Sequence, residues 1–199
     1  MPSSGRSGAR IAALASGALL VLYPVLVYFG IRYVSVGLLG GVLIVLFALR
    51  LATSRGVAAF RPSGTQLALA SAVGIALAAL SMLQRSADAM LYYPALVNGG
   101  LLAVFALSLV RPPTVIERIA RLREGPLSAA AVAYTRRVTI AWIVFFACNG
   151  AIAFATARWA SLEIWTLYNG AVSYVLIGTM FGAEWLVRRR VQRRAANER

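Results

Sequence analysis

A chain of 199 residues that is 60% hydrophobic, only 13% charged and has a mean hydropathy of +0.77 carries more apolar surface than one water-soluble core can bury, so it reads as a polytopic membrane protein. Its net charge of +14 includes no lysine, and because the arginines gather between and after apolar runs they read as topology signals rather than as a nucleic-acid footprint. With no histidine and a single cysteine, the Ser-His and Cys-His dyads, the commonest metal ligand and an internal disulfide are all excluded.

No catalytic residue, cofactor or metal site is therefore expected. Cys148, set in an apolar run, is expected as a small buried packing residue.

The expected architecture is all-α, a single domain of six transmembrane helices over residues 11–187. A polar tail, 1–10, precedes a first span, 11–31, which reads as uncleaved and is kinked by Pro24, with Tyr23 and Tyr28 at similar depth. The second span, 34–49, holds Gly37 and Gly41 at a spacing that admits a close helix neighbour, with Gly40 beside them. After an arginine-bearing loop, the third span, 67–83, places Ala70, Gly74 and Ala78 on one face. The fourth, 90–110, opens with Tyr92, Tyr93 and Pro94, and its Tyr93-Pro94 echoes Tyr23-Pro24 of the first.

Pro112 and Pro113 stop the fourth span, Thr114 and Glu117 form a capping-box pattern, and Gly125-Pro126 ends the short segment that the cap begins. Between these signals Val115, Ile116, Ile119 and Leu122 share one face, and Glu117, Arg118, Arg121 and Glu124 the other. The reading is a short amphipathic helix on the membrane surface between helices 4 and 5, with Arg118 and Arg121 toward anionic headgroups. An ordinary solvated connector packed on the bundle is the alternative.

The fifth and sixth spans, 138–157 and 164–187, form a hairpin bounded by Arg136-Arg137 and by Arg188, Arg189 and Arg190, where a basic tail, 188–199, begins. Trp142 and Trp159 bracket one span, Trp165 and Trp185 the other. Each pair is roughly 25 to 30 Å apart on a helix, close to the hydrocarbon thickness, and indoles prefer that boundary. Six spans put seventeen of the twenty arginines on one side of the membrane and leave only Arg32, Arg85 and Arg158 on the other. The positive-inside rule then makes both termini cytoplasmic.

Three Asn-Gly pairs lie within spans. Asn98, Asn149 and Asn169 fall toward the outer half of the bilayer, at depths shared with Tyr23, Tyr28, Tyr93 and Tyr168. This polar layer reads either as a pathway opening outward or as helix-to-helix glue, the latter favoured. Glu184 stands one turn before Arg188, which can meet it as an ion pair near the inner interface, and a proton-coupling role is the other reading.

The pattern Arg136-Arg137, Trp142, Phe145-Phe146, Gly150, Ala157, Trp165 and Trp185, with the Ile116-Glu117-Arg118 connector, resembles the end of the septation protein A family of bacterial inner-membrane proteins. Tyr93-Pro94-Ala95-Leu96-Val97-Asn98 and Arg111-Pro112-Pro113-Thr114-Val115-Ile116-Glu117-Arg118 look closer still to an uncharacterised inner-membrane family found in aryl-polyene and xanthomonadin pigment clusters. The resemblance spans about Tyr92 to Arg190. It implies a non-catalytic, envelope-associated inner-membrane component, an accessory or scaffold in cell-envelope or aryl-polyene lipid biogenesis, with membrane lipids and other envelope-biogenesis membrane proteins as partners, no nucleic acid, and room for an oligomer. A small transporter or flippase for a lipid or small molecule is the rival reading.

Overall fold

The computed structural model describes residues 22–53 and 64–197, so the tail 1–10, the first half of the first expected span, Arg55 and Arg61 lie outside the described residues. Within them the chain forms helices only: α1 over residues 22–33, α2 (Val36–Thr53), α3 (Gly64–Gln84), α4 (Asp88–Leu91), α5 (Tyr93–Val110), α6 (Val115–Glu124), α7 (Ala129–Trp159), α8 (Leu162–Leu167) and α9 (Ser173–Asn197). A π turn, Tyr168–Val172, joins α8 to α9 without a break. Among the described residues three segments are long and apolar enough to cross a membrane: Tyr93–Val110, Ala129–Trp159 and Leu162–Arg189.

Local chemistry sets most of the boundaries. The hydroxyls of Thr114, Ser128 and Ser161 each accept the N–H three residues on, which satisfies one otherwise orphaned donor at the heads of α6, α7 and α8. Gly125 stops α6 at φ +76°, a left-handed conformation that suits glycine. Helix α7 begins at Ala129, nine residues before the expected start of the fifth span. Its first turns are alanine-rich and capped, and a pair of arginines does not by itself end a helix. For the same reason α9 runs on through Arg188, Arg189 and Arg190.

The core sits where α1, α2, α3 and α5 meet. Tyr23, Val27, Leu39, Leu43, Phe47, Ala78, Met90 and Tyr93 are buried together with Trp165 of α8. The two Tyr-Pro strings converge there: the Tyr23 and Tyr93 rings lie 4.6 Å apart, and Phe47 packs on both. The Tyr23 hydroxyl donates to the Met90 carbonyl at 2.9 Å, tying α1 to the α4 turn.

Several expected packing roles are reassigned. On α2 a Cβ at Gly37 or Gly41 would meet nothing within 4 Å, whereas one at Gly40 would lie 2.5 Å from Met82 and 3.3 Å from the Ala78 carbonyl, so Gly40 is the residue against α3. Gly74 does face a neighbour, the Phe47 ring. Trp142 and Trp165 are core residues at 5% and 0% exposure, whereas Trp159 and Trp185 are exposed. Trp165 donates its indole N–H to the Leu91 carbonyl at 2.9 Å. Trp142 lies among Phe145, Phe146 and Phe181. Cys148 is exposed on α7, not buried, because the buried face of that turn carries Phe146 and Asn149 instead.

The exterior remains apolar. Leu26 and Phe29 on α1, Leu107 and Val110 on α5, Val144 and Ile152 on α7, and Val175 and Leu186 on α9 all point outward, an arrangement that water does not tolerate over so much surface and lipid does.

Candidate functional site

Two polar constellations stand out against this apolar background, one toward each end of the bundle. The first contains the asparagines. The Tyr168 hydroxyl donates to Asn149 Oδ1 at 2.8 Å, Asn149 Nδ2 donates to Asn98 Oδ1 at 3.0 Å, and Asn98 Nδ2 donates to the Pro94 carbonyl at 2.8 Å. The chain of bonds thus runs from the π turn through α7 into α5. It lies beside a close contact of these two helices, since a Cβ at Gly150 would come 3.0 Å from the Asn98 Cβ.

Asn169 belongs to a separate pair of bonds. Its Nδ2 donates to Thr156 Oγ1 at 3.2 Å and to the Trp165 carbonyl at 2.9 Å. The π turn has a part in this: one extra residue in the turn rotates the helix, and Tyr168 and Asn169, adjacent in sequence, both reach α7. Ser173 Oγ donates to the Asn169 carbonyl at 3.3 Å within the same segment. The expected single layer is therefore divided. Tyr168, Asn149 and Asn98 are joined, Asn169 stands on Thr156, Tyr23 and Tyr93 belong to the aromatic core, and Tyr28 lies elsewhere, under the Arg32 guanidinium at 5.0 Å.

Arg32 also pairs with Glu163 at the head of α8, fastening the α1–α2 link to the α7–α8 turn at the arginine-poor end. This bridge joins two links that are 131 residues apart in the chain.

The second constellation lies at the arginine-rich end. Helix α6 docks through Thr114, Glu117 and Ala120, which are buried, and leaves Ile119 partly and Leu122 widely exposed. Glu117 turns inward, where the helical pattern alone would set it on the outward polar face. Its backbone N–H is held by the Thr114 cap, while its carboxylate keeps Arg121 one turn on as a 2.7 Å ion pair. Val115 and Ile116 are half-buried, and Arg118 turns its Nε to the Pro113 carbonyl at 2.9 Å.

Between α5, α6, α7 and α9 lies a cavity of about 550 Å³. Leu101, Phe105, Trp142, Phe146 and Phe181 give it an apolar part, and Glu124, Tyr134, Glu184 and Arg188 a polar one. The expected Glu184–Arg188 pair is not formed: Arg188 reaches across to Glu124 at the end of α6. An i,i+4 spacing permits a contact on one helix, but the folded chain offers Arg188 a carboxylate on a neighbouring helix that locks two elements together. Glu184 contributes its backbone carbonyl to the Tyr134 hydroxyl at 3.3 Å, the polar link between α7 and α9. Glu124 and Tyr134 carry no functional signal in the sequence beyond a polar helix face and a tyrosine near a boundary.

Among the described residues no group of three or more histidine, cysteine, aspartate or glutamate side chains stands together. The chain matches no family model, and comparison with curated proteins and with solved structures returns no match.

Proposed function

We propose that this protein is a six-span component of the bacterial inner membrane, with both termini cytoplasmic, that serves as a non-catalytic accessory or scaffold in envelope or aryl-polyene lipid biogenesis. The observation that carries the choice of scaffold over transporter is the Tyr168–Asn149–Asn98–Pro94 bond chain. A solute pathway needs polar groups with free hydrogen-bonding capacity along a continuous opening, and these side chains spend theirs on one another across the close α5–α7 contact at Gly150. The resemblance of Tyr92 to Arg190 to pigment-cluster and septation-type membrane proteins supports the envelope assignment. The arginine distribution supports the orientation.

The test is complementation. A strain lacking the gene is scored for envelope lipids and pigment, and variants Asn98→Leu, Asn149→Leu and Asn169→Leu are returned to it. Restoration by variants that melt a little lower than wild type is the expected result. Loss of function in a variant of unchanged stability would put the transporter ahead.

A further inference from the structure

The cavity at the arginine-rich end combines an apolar, aromatic lining with the charged side chains of Glu124, Glu184 and Arg188. Along α7 its lining runs from Ala130 to Phe146, about 24 Å of helix at 1.5 Å per residue. Beyond the Arg136-Arg137 boundary the lining reaches about 12 Å, from 138 to 146, within the roughly 15 Å depth of one leaflet in a bilayer with a 30 Å hydrocarbon core. Its apolar part is lined by aromatic rings from three helices, Phe105, Trp142, Phe146 and Phe181, and the cavity's volume of about 550 Å³ falls within the range of small-ligand sites.

The charged part is more specific. Arg188 is engaged by Glu124, which uses only part of a guanidinium's five donors and leaves the others for an oxyanion. Glu184 stands one turn earlier on the same face of α9, half-buried in the cavity wall, and forms no ion pair among the described residues. Glu124, Glu184 and Arg188 together carry two negative charges and one positive. A purely anionic headgroup would add to that excess, and a purely cationic one would leave the spare guanidinium donors unused. A headgroup bearing both a phosphate and an ammonium satisfies both sides.

From this charge complementarity we propose that the cavity holds one aminophospholipid of the phosphatidylethanolamine type, its phosphate on Arg188, its ammonium on Glu184 and one acyl chain against Phe105, Trp142, Phe146 and Phe181. The proposal rests on the membrane-accessory reading only in setting the arginine-rich end at headgroup level.

The experiment uses the full chain in nanodiscs of equimolar phosphatidylethanolamine and phosphatidylglycerol, with retained lipid counted by native mass spectrometry. Wild type should keep one phosphatidylethanolamine in preference to phosphatidylglycerol by about tenfold, equivalent to about 1.4 kcal/mol. Glu184→Gln, which keeps the shape and removes the charge, should bring the ratio near unity. Ala131→Trp, which fills the cavity, should abolish retention of either lipid, and a melting curve of each variant checks that it is folded. Equal retention of the two lipids by wild type, a preference for phosphatidylglycerol, or an unaltered ratio in Glu184→Gln would each overturn the proposal. None of these outcomes touches the scaffold reading, which stands or falls on complementation by the asparagine variants.

Discussion

Replacing Asn149 with leucine isolates the contribution of the polar layer, because Asn149 bonds to side chains on two other helical segments. The substitution removes the bond to Asn98 at 3.0 Å and the bond from Tyr168 at 2.8 Å. Inside a bilayer each interhelical bond is worth about 0.6 kcal/mol and at most about 1.7, so the loss should be about 1.2 and no more than about 3.4 kcal/mol. Tyr168→Phe removes one of the two and should cost about 0.6 kcal/mol. Asn98→Leu likewise breaks one interhelical bond, since its other partner is the Pro94 carbonyl of its own helix. In the Asn149→Leu background Tyr168→Phe should then cost almost nothing, leaving a coupling energy of about 0.6 kcal/mol in a double-mutant cycle. The assay is reversible unfolding by SDS in mixed bicelles, followed by far-ultraviolet circular dichroism. Full additivity of the two substitutions, or a larger loss at Asn169 than at Asn149, would refute the bond chain as the source of the effect.

Glycine substitutions should separate packed from open positions on α2 and α3. Gly74→Ala drives a methyl to 2.5 Å from the Phe47 ring that supports Tyr23 and Tyr93, and should destabilise by about 1–3 kcal/mol, whereas Gly37→Ala, which meets nothing within 4 Å, should be neutral or slightly stabilising in the same unfolding assay. In a Cys148→Ala background a cysteine at position 86 should react with an impermeant thiol reagent from the periplasm and one at position 55 should be protected, and the reverse pattern would invert the topology. Fluorophores along α6 should be quenched by lipid-borne probes most strongly at position 122, less at 119 and least at 120, following the observed exposure. Uniform absence of quenching at 119 and 122 would replace the surface helix with a solvated connector, and Ile119→Glu should weaken its membrane contact without removing the spans.

The α-helical class, the apolar exterior and the bounds of α6 were legible in the sequence because each depends on interactions within a few residues. A helix satisfies its own backbone, so a long apolar run in lipid has few alternatives, and the Thr114 cap acts on the N–H three positions away, as do the caps at Ser128 and Ser161 that the sequence reading passed over. What tertiary structure alone decided is how each helix is rotated about its axis. In α5 and α7 apolar residues surround the helix, leaving no polar stripe to declare which face turns inward. That rotation buries Trp142 and exposes Cys148, selects Gly40 over Gly37, joins Asn149 to Asn98 while leaving Asn169 to Thr156, and gives Arg188 to Glu124 instead of Glu184. The π turn at Tyr168–Val172 adds a residue that no periodicity announces, and the cavity exists only because four helices, the consecutive α5, α6 and α7 together with α9, fail to close completely around the aromatic side chains at Trp142.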